Sequence, residues 1–173
     1  MDKPDRITPN LWFDTQAEDA ALFYAGIFPN SRIVSLVRYG EAGQEVTGGR
    51  PGSVMTVAFE LDGQSFVALN GGPAFRFSEA ISLIVNCEDQ AEVDYYWEKL
   101  AAGGDEQAQQ CGWLKDRYGV SWQIVPRVLS RLIADPDAER AGRVTEAMLA
   151  MKKLDVAALE RAYEGVQVAG QRR

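Results

Sequence analysis

Histidine is missing from the whole 173-residue chain, and its absence excludes a large part of enzyme chemistry. Histidine is the usual general acid or base near neutral pH and a frequent ligand of zinc. Without it, neither a histidine-containing catalytic triad nor a histidine-based metal site can form. The sequence therefore predicts a protein without such a metal site, and we expect no bound cofactor.

Cysteines and long apolar runs are scarce as well. Cys87 and Cys111 are the only cysteines, too few for a disulfide framework. They are expected either as free, partly buried thiols or as a redox pair or a reactive thiol. No stretch approaches the roughly 18 uncharged apolar residues of a membrane span, and residues 1–10 lack the apolar run of a secretory signal. These absences predict a cytoplasmic protein with no membrane partner.

Positive charge is also in short supply. The formal net charge is −7, and the Lys and Arg residues are scattered along the chain. A protein that binds nucleic acid needs a basic face that displaces counterions from the phosphates. We therefore expect no nucleic-acid partner.

Two halves of the chain resemble each other. LWFDTQAEDAALFY, which starts at Leu11, matches LIVNCEDQAEVDYY, which starts at Leu83. DGQSFVALN, which ends at Asn70, matches YGVSWQIVP, which ends at Pro126. Each copy contains a short apolar run followed by an amphipathic segment. We interpret the pattern as a duplicated unit, with a first module at residues 1–72 and a second module at residues 73–126.

The first module has the sequence signals of four strands and one helix. Strands are predicted at residues 10–13, 32–39, 53–61 and 65–70, the last two joined by an Asp62-Gly63 turn. A capping box of Thr15 and Glu18 predicts the start of the helix. The glycine-rich loop at residues 40–52 is typical either of a lid over a pocket or of an ordinary hairpin tip.

The second module repeats this plan and is followed by helices. We predict a strand at residues 80–85, a helix ending at Gly103-Gly104, and strands at residues 107–116 and 120–125. Residues 127–165 are predicted to form C-terminal helices, and residues 166–173 a frayed tail. One of these helices is predicted to start at Asp135-Pro136, and another to run from Asp155 to Gly165.

Several of these segments resemble a known family. AEDAALFYAGIFPNS, LNGGPAFRF, AISLIVNCEDQAEVDYYWEKL and CGWLKDRYGVSWQIVP are similar to PhnB-like proteins of the vicinal oxygen chelate (glyoxalase/bleomycin resistance/dioxygenase) superfamily. This group is also labelled 3-demethylubiquinone-9 3-methyltransferase-like, and AMLAMKKLDVAALERAYEG resembles its tail. The resemblance covers nearly the whole chain. It implies an α+β fold of two tandem β-α-β-β-β modules with a C-terminal helical appendage, a concave site formed by curved sheets, and a homodimer.

The chain departs from its metal-using relatives at the positions that matter. In those relatives, His and Glu side chains of the first and last strands hold a divalent metal ion. The matching positions here fall near Asn10 and Ser82 and at Val67 and Gln123. Valine cannot ligate a metal and an amide is a weak neutral ligand, so we expect no bound metal ion. Gly48-Gly49 has no strand-turn-helix context, so we expect no methyltransferase activity either.

Five residues are predicted to bind a ligand in the concavity: Asn10, Trp12, Ser82, Trp122 and Gln123. In a ligand site, a few polar groups orient a small molecule in an apolar bowl. Alternatively, the polar residues are satisfied by their neighbours and the tryptophans pack in the core. The sequence identifies no catalytic residue.

Three functions stay open. The first is binding of a small organic molecule without a histidine-based metal site. The second is a superfamily enzyme of lyase, isomerase or oxygenase type with an atypical metal site or none. The third is a regulatory or partner-binding protein that acts through its C-terminal helices. The missing histidines favour the first function over the second.

Overall fold

The computed structural model describes residues 6–41 and 48–166. These residues form two four-stranded mixed sheets, one helix with each sheet, and three C-terminal helices. The chain divides into two compact units, Met1–Phe77 and Ser78–Arg173. The predicted α+β fold of two tandem modules with a C-terminal helical appendage is confirmed. The predicted frayed tail lies outside the described residues, except for Val166.

The first unit contains β1 (Asn10–Phe13), α1 (Ala17–Ala25), β2 (Arg32–Arg38), β3 (Val54–Leu61) and β4 (Gln64–Asn70). The strand order is β1-β4-β3-β2; β1 runs parallel to β4, and the other neighbours are antiparallel. The β3–β4 hairpin turns at Asp62 and Gly63, whose φ angles are 45° and 79°. Glycine adopts such left-handed angles without strain, and aspartate tolerates them, as the turn signal predicted.

The two faces of the first sheet differ in burial. Successive side chains of a strand point to opposite faces, and one face packs against α1 and is buried. That core contains Leu11, Phe13, Val57, Phe59, Phe66, Ala68, Ala20 and Tyr24. The opposite face stays partly exposed, and we call it the first open face. It is formed by Asn10, Trp12, Thr56, Ala58, Val67 and Leu69.

The predicted capping box at the start of α1 is wrong. The helix begins at Ala17, and its N-cap residue Gln16 makes no side-chain capping hydrogen bond. The Ala17 N–H instead donates to Asn70 Oδ1 at 2.8 Å. A residue at the end of β4 therefore supplies the acceptor that the first turn of α1 needs.

The second unit contains β5 (Leu83–Cys87), α2 (Gln90–Ala101), β6 (Asp105–Gln110), β7 (Trp113–Lys115) and β8 (Ser121–Pro126). The strand order is β5-β8-β7-β6, the same arrangement as in the first unit. Asp89 caps α2, because its carboxylate accepts a hydrogen bond from the Glu92 N–H at 3.0 Å.

The single strand predicted at residues 107–116 is wrong, because a turn at Cys111 and Gly112 divides it into β6 and β7. Both turn residues are left-handed, with φ angles of 41° and 87°. Their N–H groups donate to the Met151 and Lys152 carbonyls at 2.7 and 2.8 Å. Contacts with a segment 40 residues further along the chain thus hold the turn, and the local sequence gives little sign of it.

The second sheet also has a buried face and an open face. The buried face packs against α2 and carries Val85, Cys87, Leu114, Trp122 and Ile124. The second open face carries Ser82, Ile84 and Asn86 on and just before β5, Ser121, Gln123 and Val125 on β8, and Trp113 and Lys115 on β7. The register supports this grouping, since Gln123 pairs with both Ile84 and Trp113, and Ser121 pairs with Lys115.

Three helices follow β8: α3 (Arg127–Ile133), α4 (Ala138–Leu149) and α5 (Val156–Glu164). They share a buried core of Leu129, Leu132, Val144, Leu154 and Leu159, and Val125 packs against it. No described helix is both long enough and apolar enough to cross a membrane.

The ends of these helices match the prediction in one case and not in the other. The carboxylate of Asp155 caps α5, and Gly165 ends that helix with φ 75°, both as predicted. The predicted start of α4 at Asp135-Pro136 is wrong, since Asp137 is the N-cap. Asp135 lies two residues earlier, where its Oδ1 accepts a hydrogen bond from the Asp137 N–H at 2.8 Å and its Oδ2 accepts one from the Tyr163 hydroxyl at 2.6 Å.

Candidate functional site

The second open face brings two of the predicted ligand-binding residues together. Gln123 Nε2 donates a hydrogen bond to Ser82 Oγ at 2.8 Å, and both residues are partly exposed. Apolar side chains lie next to them in the sheet, since Ile84 and Trp113 are the register partners of Gln123. The result is a small polar group within a largely apolar sheet surface.

Three more polar residues lie on or beside the same face. Ser121 is only 2% exposed, and its hydroxyl has no hydrogen-bond partner within the part of the chain that the structure describes. Its register partner Lys115 forms an ion pair with Glu79, which precedes β5. The hydrogen bond from the Lys115 ammonium is the main cause of a lowered pKa of the Glu79 carboxyl. Because β8 lies between β5 and β7, this ion pair connects the two sides of the strand that carries Ser121.

Sequence analysis did not identify these three residues. Ser121 could have been found, because it lies two positions before Gln123 and therefore shares a face with it on a strand. Lys115 was assigned to a single longer strand at residues 107–116, with no partner residue on the neighbouring strand. Glu79 lies outside every strand, so no periodic signal marks it.

Trp122 is separated from Ser82 and Gln123. It lies on the buried face, is 2% exposed, and its Nε1 donates to Asp116 Oδ2 at 2.8 Å. Adjacent residues of a strand point to opposite faces, so Trp122 and Gln123 do not line one surface. We therefore leave Trp122 out of the candidate site.

The other two predicted residues lie on the first open face, in the first unit. Asn10 is exposed at the start of β1, where it pairs with Val67. Trp12 points to the same face, and its Nε1 donates to the Gly72 carbonyl at 2.9 Å. The ring centroids of Trp12 and Phe75 lie 4.9 Å apart in an edge-to-face arrangement. The indole is thus held in place beside the polar end of β1.

A cavity of about 610 Å³ lies at one end of the first unit, between the start of α1 and the ends of β2 and β4. Its polar lining residues include Asp14, Glu18, Asp19, Tyr39, Arg50 and Ser53. None of the five predicted ligand-binding residues is among its lining residues. Gly48 to Arg50 of the predicted lid loop border the cavity, while the middle of that loop, residues 42–47, lies outside the described residues.

The residues at the candidate site do not fit a divalent metal ion. Within residues 6–41 and 48–166, no three Cys, Asp or Glu side chains form a group that could hold one. The positions expected from the metal-using relatives carry amides, a hydroxyl and a valine, a poor set of ligands for a transition metal. The glycines Gly48 and Gly49 lie between the antiparallel strands β2 and β3, not between a strand and a helix, so they do not form a methyl-donor binding turn.

The two cysteine thiols are free, as the first of the two sequence interpretations expected. Cys87 is buried, and this burial, followed by the nearby carboxylates of Glu92 and Asp89, raises the pKa of its thiol to about 12. The thiolate is the reactive form of cysteine, so Cys87 is inert near neutral pH. Cys111 is partly exposed.

The comparisons with known proteins agree with this fold. A family model described as 3-demethylubiquinone-9 3-methyltransferase matches residues 5–125. The chain belongs to this family. A PhnB protein from Bacillus cereus that carries the same methyltransferase name is 37% identical, with 70% of this chain and 99% of that chain covered and a TM-score of 0.62. A Pseudomonas aeruginosa protein shares the fold at 20% identity, covering 70% of this chain and 97% of its own, with a TM-score of 0.56. No curated protein matches the chain.

The family model also bounds the resemblance. It stops at residue 125, near the end of β8, so the match covers the two sheet modules. The sequence segments had indicated a resemblance over nearly the whole chain. Membership in this family therefore supports the two modules. The three C-terminal helices lie outside the part of the chain that the family model matches.

Proposed function

We propose that this PhnB-like protein binds a small organic molecule on the second open face, without a histidine-based metal site. The observation that carries this proposal is the hydrogen bond between Gln123 and Ser82 on a sheet surface that also presents Trp113 and Ile84. Small-molecule sites commonly combine an apolar surface with a few polar groups that fix the orientation of the ligand. On the first open face, Asn10 and Trp12 offer a second surface of the same composition.

A thermal-shift screen of small oxygenated organic molecules tests this proposal, with and without divalent metal ions. A ligand present at about 100 times its Kd stabilises the folded state by about 2.7 kcal/mol. We expect such stabilisation in the wild-type chain and its loss in the double variant Ser82→Ala/Gln123→Leu. Gln107→Leu on the exposed edge strand β6 is the matched control and should respond like the wild type.

Other outcomes of the screen would support the alternatives. Stabilisation that requires a divalent metal ion would contradict the metal-free site and favour a superfamily enzyme. If no organic molecule raised the melting temperature, small-molecule binding would be contradicted. In that case the C-terminal helices would be the next place to search for a partner.

We also propose that the chain forms a homodimer. Val34 and Val37 on the edge strand β2 are about half exposed, at 50% and 47%. Apolar side chains exposed along edge strands favour pairing with another chain. Light scattering coupled to size exclusion should give about twice the chain mass of 19.1 kDa, and Val37→Lys should shift the mass towards the monomer. A monomer mass for the wild type at micromolar concentration would contradict this proposal.

A further inference from the structure

The ion pair of Lys115 and Glu79 lies beside the Gln123–Ser82 hydrogen bond, on the same open face. Lys115 pairs in register with Ser121, and Gln123 follows two residues later on β8. The Lys115 side chain is 23% exposed, whereas that of Glu79 is 60% exposed. The lysine is therefore largely held in the sheet surface, and its carboxylate partner lies at the border with solvent.

Hydrogen-bond donors dominate this group. The Lys115 ammonium, the Gln123 amide and the hydroxyls of Ser82 and Ser121 can all donate. The carboxylate of Glu79 accepts from the ammonium. The Ser121 hydroxyl is buried and has no hydrogen-bond partner among the described residues. A buried hydroxyl normally has a partner, and Lys115 is the register neighbour of Ser121 on the same face. An acceptor that a ligand brings to Lys115 would therefore also complete the hydrogen bonding of Ser121.

We propose that the ligand of the second open face carries an oxyanion, a carboxylate or phosphate group, which replaces the Glu79 carboxylate at Lys115 Nζ. The oxyanion also accepts a hydrogen bond from Ser121, and the body of the ligand lies along Trp113 and Ile84. This inference rests on the proposed binding function and names the chemical class of the ligand.

The exchange of one carboxylate for another is energetically easy. Glu79 is 60% exposed, so water and salt screen its side of the ion pair, and an incoming oxyanion restores to Lys115 the contact that Glu79 gives up. Glu79 lies in a turn before β5 rather than in a strand, so its side chain can swing away without breaking a sheet hydrogen bond. Lys115 stays in β7 and keeps its charge directed at the open face.

Matched aromatic probes test the proposal in the full-length chain. Benzoate and benzamide have nearly the same shape but differ in charge, and phenyl phosphate tests the second oxyanion class. Binding is followed by the NMR signals of the Gln123 side-chain amide during titration. We expect benzoate or phenyl phosphate to bind about fivefold more tightly than benzamide, with the stronger of the two identifying the class. This preference should weaken as salt is added to the wild-type chain.

Variants of the ion pair separate a binding role from a structural one. Lys115→Gln should abolish the preference for the oxyanion, and Ser121→Ala should reduce it. Glu79→Gln removes the competing carboxylate, so it should tighten benzoate binding two- to fivefold, on the order of one exposed ion pair. A purely structural ion pair predicts no gain. Asp94→Asn, which breaks the ion pair with Lys153 at 2.5 Å elsewhere in the unit, is the control and should leave the affinity unchanged.

The failures of the two proposals are distinguishable. Equal shifts of the Gln123 signals by benzoate and benzamide, insensitive to salt, would overturn the oxyanion and leave small-molecule binding in place. No shift of these signals with any of the three probes would overturn both. If Glu79→Gln failed to fold, the salt dependence of the wild-type chain and Glu79→Ala would still decide the result.

Discussion

Replacing Asp116 by asparagine removes a negative charge from the hairpin that carries Gln123. Asp116 is 3% exposed. Its Oδ1 accepts hydrogen bonds from the Tyr118 and Val120 N–H groups at 2.8 and 3.0 Å, and its Oδ2 accepts from Trp122 Nε1 at 2.8 Å. This carboxylate thus joins the turn between β7 and β8 to the tryptophan beneath the open face.

The expected cost follows from the donors. The asparagine oxygen can still accept from the two backbone N–H groups, but its NH₂ group then faces the indole N–H, donor against donor. A hydrogen bond to a charged group contributes about 1.5–3 kcal/mol, and a buried unsatisfied donor costs about 1–3 kcal/mol. We therefore expect Asp116→Asn to lower the free energy of unfolding by about 2–4 kcal/mol.

A double-mutant cycle measured by urea unfolding and circular dichroism isolates this contact. Trp122→Phe removes the indole donor, so it should cost less in the Asp116→Asn background than in the wild type. The double variant should be more stable than the sum of the single changes predicts, by about 1–2 kcal/mol. Asp105→Asn on β6, an exposed carboxylate with one hydrogen bond to the Gln107 N–H, is the control and should change stability by less than about 0.5 kcal/mol. Additive effects within about 0.5 kcal/mol would refute the direct contact.

Three further predictions concern other parts of the chain. Leu159→Ala should cost about 2–5 kcal/mol in urea unfolding, since Leu159 is fully buried in the core of the C-terminal helices; a cost below about 1 kcal/mol would mean that these helices are not packed as described. Gly71→Ala should lower the thermal midpoint, because a Cβ at this position would overlap the Trp12 ring, and an unchanged midpoint would contradict that close contact. In a thiol-labelling assay at pH 8, Cys111 should react and Cys87 should not, because burial raises the pKa of Cys87 to about 12. Since that folded-state pKa lies above the unfolded value, the thiol of Cys87 should not affect stability below about pH 8 and should lower it as the pH rises towards 12; rapid labelling of both cysteines would contradict the burial.

The two-module architecture could be predicted because its signals are local and repeated. Alternating apolar side chains along β1, β3, β4 and β8 specify strands with one buried face, whatever the rest of the chain does. The Asp62-Gly63 turn and the Asp155 and Gly165 caps depend on the conformations that these few residues prefer, so their positions were correct. The alternation of β8 also predicts that Trp122 and Gln123, which are adjacent, point to opposite faces and cannot line the same surface.

Two of the incorrect predictions share one cause, which is competition from residues distant in sequence. Asn70 supplies the acceptor at the start of α1, and the Met151 carbonyl holds the turn at Cys111. In both cases a hydrogen bond to a residue distant in sequence sets the backbone at a position where the local sequence predicts something else.

The sequence by itself determined most of the segments that form strands and helices, the duplication of the module and the absence of histidine chemistry. These features follow from residue type and spacing along one stretch of chain. The tertiary structure decided which polar groups meet: Gln123 with Ser82, Lys115 with Glu79, and the buried hydroxyl of Ser121 between the strands that carry them. These contacts depend on strand order and register. The groups lie as many as 41 residues apart along the chain, and they become neighbours because β8 lies between β5 and β7.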